Sequence, residues 1–298
     1  MKSRLSMFSP AGILLLVVLM SCNKNDDQQP SSSLQTSSES LLTSATNTIS
    51  GAGDQQSAEV SDVVGDGTLM GNDSSVCRIV SFSPSRLVFP HVKTVDFGTG
   101  CTGRDGITRS GKKMVMVYAD WRIAPAGTLI SETTFSDFWL DSVNIAGNVR
   151  TYIDSAATGG VLQLKVVTNK TFTDKEGNTT TFIEVMYWKQ IAGNETTSRK
   201  DNVFQLTGHA SGTGVINGST AFTFNAKTDP AHPIIKMGDC EYRSEGAISS
   251  KIKLWSGKVY DEYLDYGNGD CDNIATISTN GGDAKTVTLP LISWPVKL

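Results

Sequence analysis

From Val76 onward, turns built on glycine, asparagine and aspartate interrupt the chain about every 8 to 15 residues, and the runs between them are rich in β-branched and aromatic side chains. That spacing is the one expected of successive short strands. Strand-like runs include Lys113 to Trp121, Val161 to Val167, Thr181 to Trp188, Thr220 to Ala226 and Thr286 to Leu291. Several alternate polar and apolar residues, as a strand does when one face is buried and the other is wet. The connectors carry hairpin chemistry: Asp174 to Asn178, Asn217-Gly218, Ser256-Gly257 and Asn280-Gly281-Gly282. No segment sustains apolar residues at i, i+3, i+4 and i+7; Ser136 to Ile145 comes nearest and holds too many β-formers. The expectation for residues 76–298 is an all-β domain, a predominantly antiparallel hairpin meander folded as a sandwich or as an extended open sheet.

One unit is written twice. Asp96-Phe97-Gly98-Thr99-Gly100-Cys101 returns as Asp265-Tyr266-Gly267-Asn268-Gly269-Asp270-Cys271, and each copy has a cysteine upstream, Cys77 and Cys240. Each reads as a strand end: the aromatic packs inward, the aspartate caps the turn and the glycines permit positive φ. The parallel layout favours disulfides Cys77–Cys101 and Cys240–Cys271 among the three pairings four cysteines allow. Free buried thiols and the other pairings are the alternatives.

The chain opens on a processing signal. Lys2 and Arg4 precede the apolar run Ala11 to Met20, which is about half the roughly twenty residues a membrane-crossing helix needs. Leu19-Met20-Ser21-Cys22 resembles the bacterial lipobox, which implies a signal peptide at 1–21 and a lipidated Cys22 that anchors the chain to a membrane. Asn23-Lys24-Asn25-Asp26-Asp27 resembles the export signal of Bacteroidetes lipoproteins, which implies an outer-membrane location facing the cell exterior. Residues 22–75 are rich in Ser, Thr, Gln, Asn and Gly and read as a disordered tether, with a root-mean-square reach of about 40 Å. A short helix around Ser40 to Thr46 is the alternative there.

Without Lys2 and Arg4 the chain carries 24 basic and 30 acidic residues, a net charge of −6 with no basic stripe. That balance argues against nucleic acid as a partner. Gly98-x-Gly100-x-x-Gly103 matches a dinucleotide fingerprint as a string, and Gly106-x4-Gly111-Lys112 imitates a phosphate loop. Both need a helix to follow, and the sequence offers turns and a strand. Asp265, Asn268, Asp270 and Asp272 fail the EF-hand pattern at Asn273 and Thr279 and read as a turn bonding its own backbone, with a different calcium site as the alternative. His91, His209 and His232 form no zinc pattern, and no G-x-S-x-G elbow is present. Hence no catalytic, cofactor or metal residues are assigned, and the expectation is a protein that is not an enzyme.

Aromatic residues are better placed for binding. Trp121, Trp139, Trp188 and Trp255 are the candidates for stacking on a sugar face, with core filling as the ordinary fate of such rings. Asp141-Ser142-Val143 and Asp154-Ser155-Ala156 resemble the O-glycan acceptor of Bacteroidetes exported proteins, which implies Ser142 and Ser155 as acceptors. Val95 to Lys112 and Asp265 to Gly281 resemble stretches of uncharacterised Bacteroidetes surface lipoproteins, a likeness covering most of residues 77–291. It implies location and domain extent, and no activity. The functional expectation is a membrane-anchored cell-surface lipoprotein, a binding or adhesion module for glycan or protein. A structural envelope β protein is second and a glycoside hydrolase-like enzyme third.

Overall fold

The structure is a computed structural model that describes residues 38–64, 77–103, 107–155, 161–195, 200–240 and 242–289, with helix side chains as far as Ala52. The signal peptide 1–21 and Cys22 lie outside them. The elements are α1 (Ser38–Val64), β1 (Ile79–Ser83), β2 (His91–Asp96), β3 (Cys101–Thr102), β4 (Thr108–Val117), β5 (Leu129–Leu140), β6 (Val143–Ser155) and β7 (Gln163–Thr173). They continue as β8 (Thr179–Ala192), β9 (Val203–Ile216), β10 (Ser219–Thr228), β11 (Ile234–Met237), β12 (Glu245–Leu254), β13 (Val259–Asn268), β14 (Ile274–Thr279) and β15 (Lys285–Thr288).

These strands form one antiparallel sheet in nearly sequential order, β1-β2-β4-β5-β6-β7-β8-β9-β10-β12-β13-β14-β15, so the open meander is realised and the sandwich is not. Short turns make each strand's partner its neighbour in sequence. At Asn217-Gly218 both residues have positive φ, 51° and 75°, the turn geometry whose twist matches a two-residue hairpin. The residues nearest to a helical pattern, Ser136 to Ile145, form the end of β5, its turn and the start of β6. β11 continues the line of β10: β9 pairs with β10 up to His209–Lys227 and with β11 from Leu206–Ile234. Between the two halves the chain loops out at Asp229–Pro233, where Pro230 and Pro233 have no N–H to give the ladder.

Alternation puts one residue set on an inner face. Across it the register aligns Leu164, Trp188 and Leu206 in one row and Phe182, Gly212, Phe224 and Ile252 in another. One continuous cluster of buried side chains runs from Val95 on β2 to Ala275 on β14. Gly212 and Gly214 leave room for rings: a Cβ at Gly212 would meet Phe224 at 2.5 Å, and one at Gly214 would meet Phe222 at 2.3 Å.

The rest of 22–75 lies outside the described residues; residues 38–64 realise the helix alternative and extend it beyond Ser40 to Thr46. They form α1, a 27-residue helix whose Leu41, Ala45, Ile49 and Ala52 are buried against the sheet. These positions share one helical face, although two of them are only alanine. Two of its buried hydroxyls are satisfied internally: Thr48 Oγ1 donates to the Ser44 carbonyl at 2.9 Å and Ser50 Oγ to the Thr46 carbonyl at 3.1 Å. Serine and threonine therefore do not keep this segment in water.

Both repeated units are built alike. Asp96 accepts from the Gly98 N–H at 2.8 Å and Asp265 from the Gly267 N–H at 2.9 Å, while Phe97 and Tyr266 are buried. The bond from Gly98 and then Lys112 hold the Asp96 carboxyl below its ordinary range. Disulfides join Cys77 to Cys101 and Cys240 to Cys271, with Cα atoms 5.4 and 5.6 Å apart. They close separations of 24 and 31 residues, for which chain entropy gives about 3–4 kcal/mol each. The register places the first bridge at one end of the strands and the second at the other.

The Gly212→Ala substitution pushes a methyl group into the Phe224 ring and is expected to cost about 1–3 kcal/mol. Gly218→Ala keeps an open site and alters only turn strain. Urea midpoints of the two variants check the contrast.

Candidate functional site

β2 pairs with β4 so that His91 faces Val117. The β1–β2 loop and the β4–β5 loop therefore leave the sheet side by side. Each is an ordered turn. In the first, the Val88 N–H donates to the Ser85 carbonyl at 3.1 Å. His91 Nδ1, facing the Val88 carbonyl at 2.9 Å, carries the proton, and its ring packs on Phe89 with centroids 5.3 Å apart. In the second, Asp120 takes a paired contact from Arg122, at 2.8 and 2.6 Å, and its backbone carbonyl accepts the Ala124 N–H at 3.0 Å. The Arg122 guanidinium is the main reason the Asp120 carboxyl sits below its usual range. What the turns display is apolar: Leu87 is 80% and Ile123 is 83% exposed, with Val88, Phe89 and Tyr118 also exposed. Grouped exposed apolar side chains mark contact surfaces, whereas scattered ones do not.

A second cluster sits where Asp229–Pro233 loops out. Asp229 Oδ2 accepts from the Tyr263 hydroxyl at 3.0 Å and lies 3.1 Å from His232 Nδ1. His232, then the Ala231 N–H, lower the Asp229 carboxyl. Desolvation first, and Asp229 second, raise Tyr263 to about 12. A phenol held neutral and a carboxylate held charged make a clasp that ties the excursion to β13; neither is poised as nucleophile or base near neutral pH.

The inner face carries buried charged residues: Lys93, Lys170, Glu184 and Glu262. Lys170 Nζ stands 5.5 Å from the centre of the Phe135 ring. Register puts Glu184 and Glu262 in one row with Ala210, Ala226 and Ser250 between them. Four strand spacings make about 19 Å along the sheet. Helix α1 contacts both sites, with Thr46 bonded to Glu262 and Ile49 beside Glu184. Glycosidase carboxylates stand about 5–9.5 Å apart, so these two are not such a pair. The cavity between Ile49 and Glu184 holds about 10 Å³, room for roughly one water molecule and far below the several hundred Å³ of a ligand pocket.

The sequence-chosen residues are dispersed. Trp188 is 2% exposed and packs edge-on against Phe204. Trp121 is half-buried against the core, and Trp139 is half-buried with its Nε1–H on Asp137 at 2.9 Å. Trp255, at the β12–β13 turn, is 63% exposed. No two of the four lie on neighbouring strands at the same end, so they form no shared platform. Ser142 stands half-buried in the β5–β6 turn, whereas the Ser155 hydroxyl at the end of β6 is buried. Asp265 and Asp272 each accept a backbone N–H two residues on, at 2.9 Å, as the turn reading requires. Among the described residues no group of three or more His, Cys, Asp or Glu side chains is placed to hold a metal ion.

Sequence reasoning missed Leu87, Val88, Phe89 and Ile123, because neither an apolar run before a proline nor an isoleucine in a turn carries a sign of its exposure. It also missed Glu262, which strand phase does mark: Leu264 and Tyr266 are inward, so Glu262 two residues earlier is inward too.

No family model, no curated protein and no solved structure matches the chain. The fold and the displayed loops define its class: an open antiparallel meander with one helix packed on its inner face and an apolar tip at one corner.

Site-resolved NMR titration of labelled tyrosines is expected to find Tyr263 ionising near 12 in the native protein. In Asp229→Asn the Tyr263 value drops, because a negative neighbour and its hydrogen bond to the phenol are removed.

Proposed function

We propose that the chain is a lipid-anchored surface lipoprotein of the outer membrane, and that its β domain binds a protein partner through the paired tip loops. The observation that carries the binding half is the joint display of Leu87 and Ile123 from two hydrogen-bonded turns. Ordered turns hold their apolar side chains out before contact, which lowers the entropic cost of association. Lys2, Arg4, the Ala11–Met20 run and the Leu19–Cys22 lipobox support the anchor. We read the protein as a binding module and not as an enzyme, with Ser142 in its turn the better-placed O-glycan acceptor. A second reading, contact with a glycan, is favoured by Trp255 alone, as an exposed indole at a hairpin tip.

Leu87→Ser combined with Ile123→Ser is expected to lower binding to an array of immobilised extracellular glycoproteins at least tenfold. These surface sites should leave the unfolding free energy within about 0.5 kcal/mol of the parent. Binding kept by that variant and lost in Trp255→Ala would transfer the function to the glycan reading. No binding by the parent to glycoprotein or glycan arrays would sink both. For the anchor, metabolic labelling with an alkyne fatty acid is expected to mark the parent and not Cys22→Ser.

A further inference from the structure

The first half of α1 packs closely on the sheet, and Ser44, Thr48 and Ser50 are buried along with its apolar residues. Leu41, Ala45, Ile49 and Ala52 supply its buried apolar surface. A polar contact joins it to the sheet at Thr46, whose Oγ1 lies 2.6 Å from Glu262 Oε2. The same Oγ1 lies 3.0 Å from the Leu42 carbonyl. A hydroxyl has one proton. If Glu262 is a neutral acid, its O–H donates to Thr46 and Thr46 donates to Leu42, so both contacts are made. If Glu262 is charged, Thr46 must choose between two acceptors. The composition of α1 compounds this, since Ser, Thr, Asn and Gly are poor helix formers and a lone helix of such residues is not stable in water. Away from the sheet the segment therefore loses its helical form.

What faces Glu262 does not compensate a charge. Register places Ser250 of β12 and Thr279 of β14 opposite it. Its same-face neighbours on β13 are Tyr260 and Leu264. From α1 comes Thr46; Leu41 to Ala52 contains no charged residue, and the whole helix contains no Lys, Arg or His. Glu39, in the first turn, is exposed and of the same sign. Asp261 and Lys251 pair with each other at 3.4 Å as exposed side chains, one residue out of phase with Glu262.

We propose that the first half of α1 is a pH-dependent strap on the inner face of the sheet, docked while Glu262 is protonated and released more readily once Glu262 is ionised. Burial raises Glu262 from 4.5 to about 7, with Thr46 as the opposing influence. A carboxyl raised in the docked state favours docking fully below about 4.5, progressively less up to about 7, and by a constant lower amount above that. The strap stands on these contacts alone.

Hydrogen–deuterium exchange of the full chain at pH 5 and pH 8, corrected for intrinsic rates, tests the strap. The opening equilibrium of Leu41–Ala52 amides is expected to rise on the order of 50-fold between the two conditions. Amides of β8 and β9 stay unchanged. In Glu262→Gln the rise disappears. In Ile49→Ser, which weakens docking without touching the carboxyl, α1 opens more at both pH values and the ratio between them is kept. Helix amides that open only together with those of β8 and β9 would overturn the proposal, as would a pH dependence that survives in Glu262→Gln. Neither result depends on whether Cys22 takes up the fatty-acid label.

Discussion

The inner face of the sheet is the constraint on which the rest of this molecule depends. Hairpin pairing satisfies the backbone of a long meander cheaply, but it leaves a broad apolar face that water must not reach. Two devices cover its middle strands. Over Gly212 and Gly214 the sheet covers itself, with Phe224 and Phe222 lying where side chains would otherwise stand. Beside them, Ala210 and Ala226 form a low floor on which Ile49 of α1 comes down. Small residues under the helix and large ones beside it are one packing solution, and interiors packed at crystal density tolerate few others.

The same face explains the buried charges. Lys170 is covered by the Phe135 ring, and Glu262 sits under Thr46 of α1. A carboxyl held there is inexpensive only when neutral, which makes α1 the one packed element whose grip is coupled to protonation by the contacts described. Elsewhere the structure is fixed by disulfides, capped turns and a side-chain clasp. The two disulfides lie at opposite ends of the strands, and each follows an aspartate-capped turn with its aromatic buried. The Asp229–Tyr263 clasp holds the one excursion that breaks the meander.

The paired tip loops belong to a different regime. Their backbones are hydrogen-bonded and their side chains are not covered. A short turn cannot fold its own leucine back onto a sheet whose face is already occupied, so the apolar groups stand exposed among the described residues.

The amino-acid sequence by itself determined the class of fold, the direction of the strands and the staples. Most of this is local: Asn217-Gly218 can make its turn with no help from afar, and the Asp-aromatic-glycine unit carries its cap and its buried ring within a few residues, with the bridging cysteine 24 or 31 residues upstream. Even the inward position of Glu262 was legible once Leu264 fixed the phase of β13. Tertiary structure alone decided the rest. Whether the meander closed into two layers or stayed one sheet depended on contacts between residues far apart in the chain. Ser38 to Ala52 read as tether because its serines and threonines are polar in isolation; only within the helix do their hydroxyls bond back to carbonyls and let Ala45 and Ile49 be buried. Leu87 and Trp188 are equally apolar on paper, and the sheet buries one and leaves the other in water because burial is set by what packs above a side chain and not by the side chain itself.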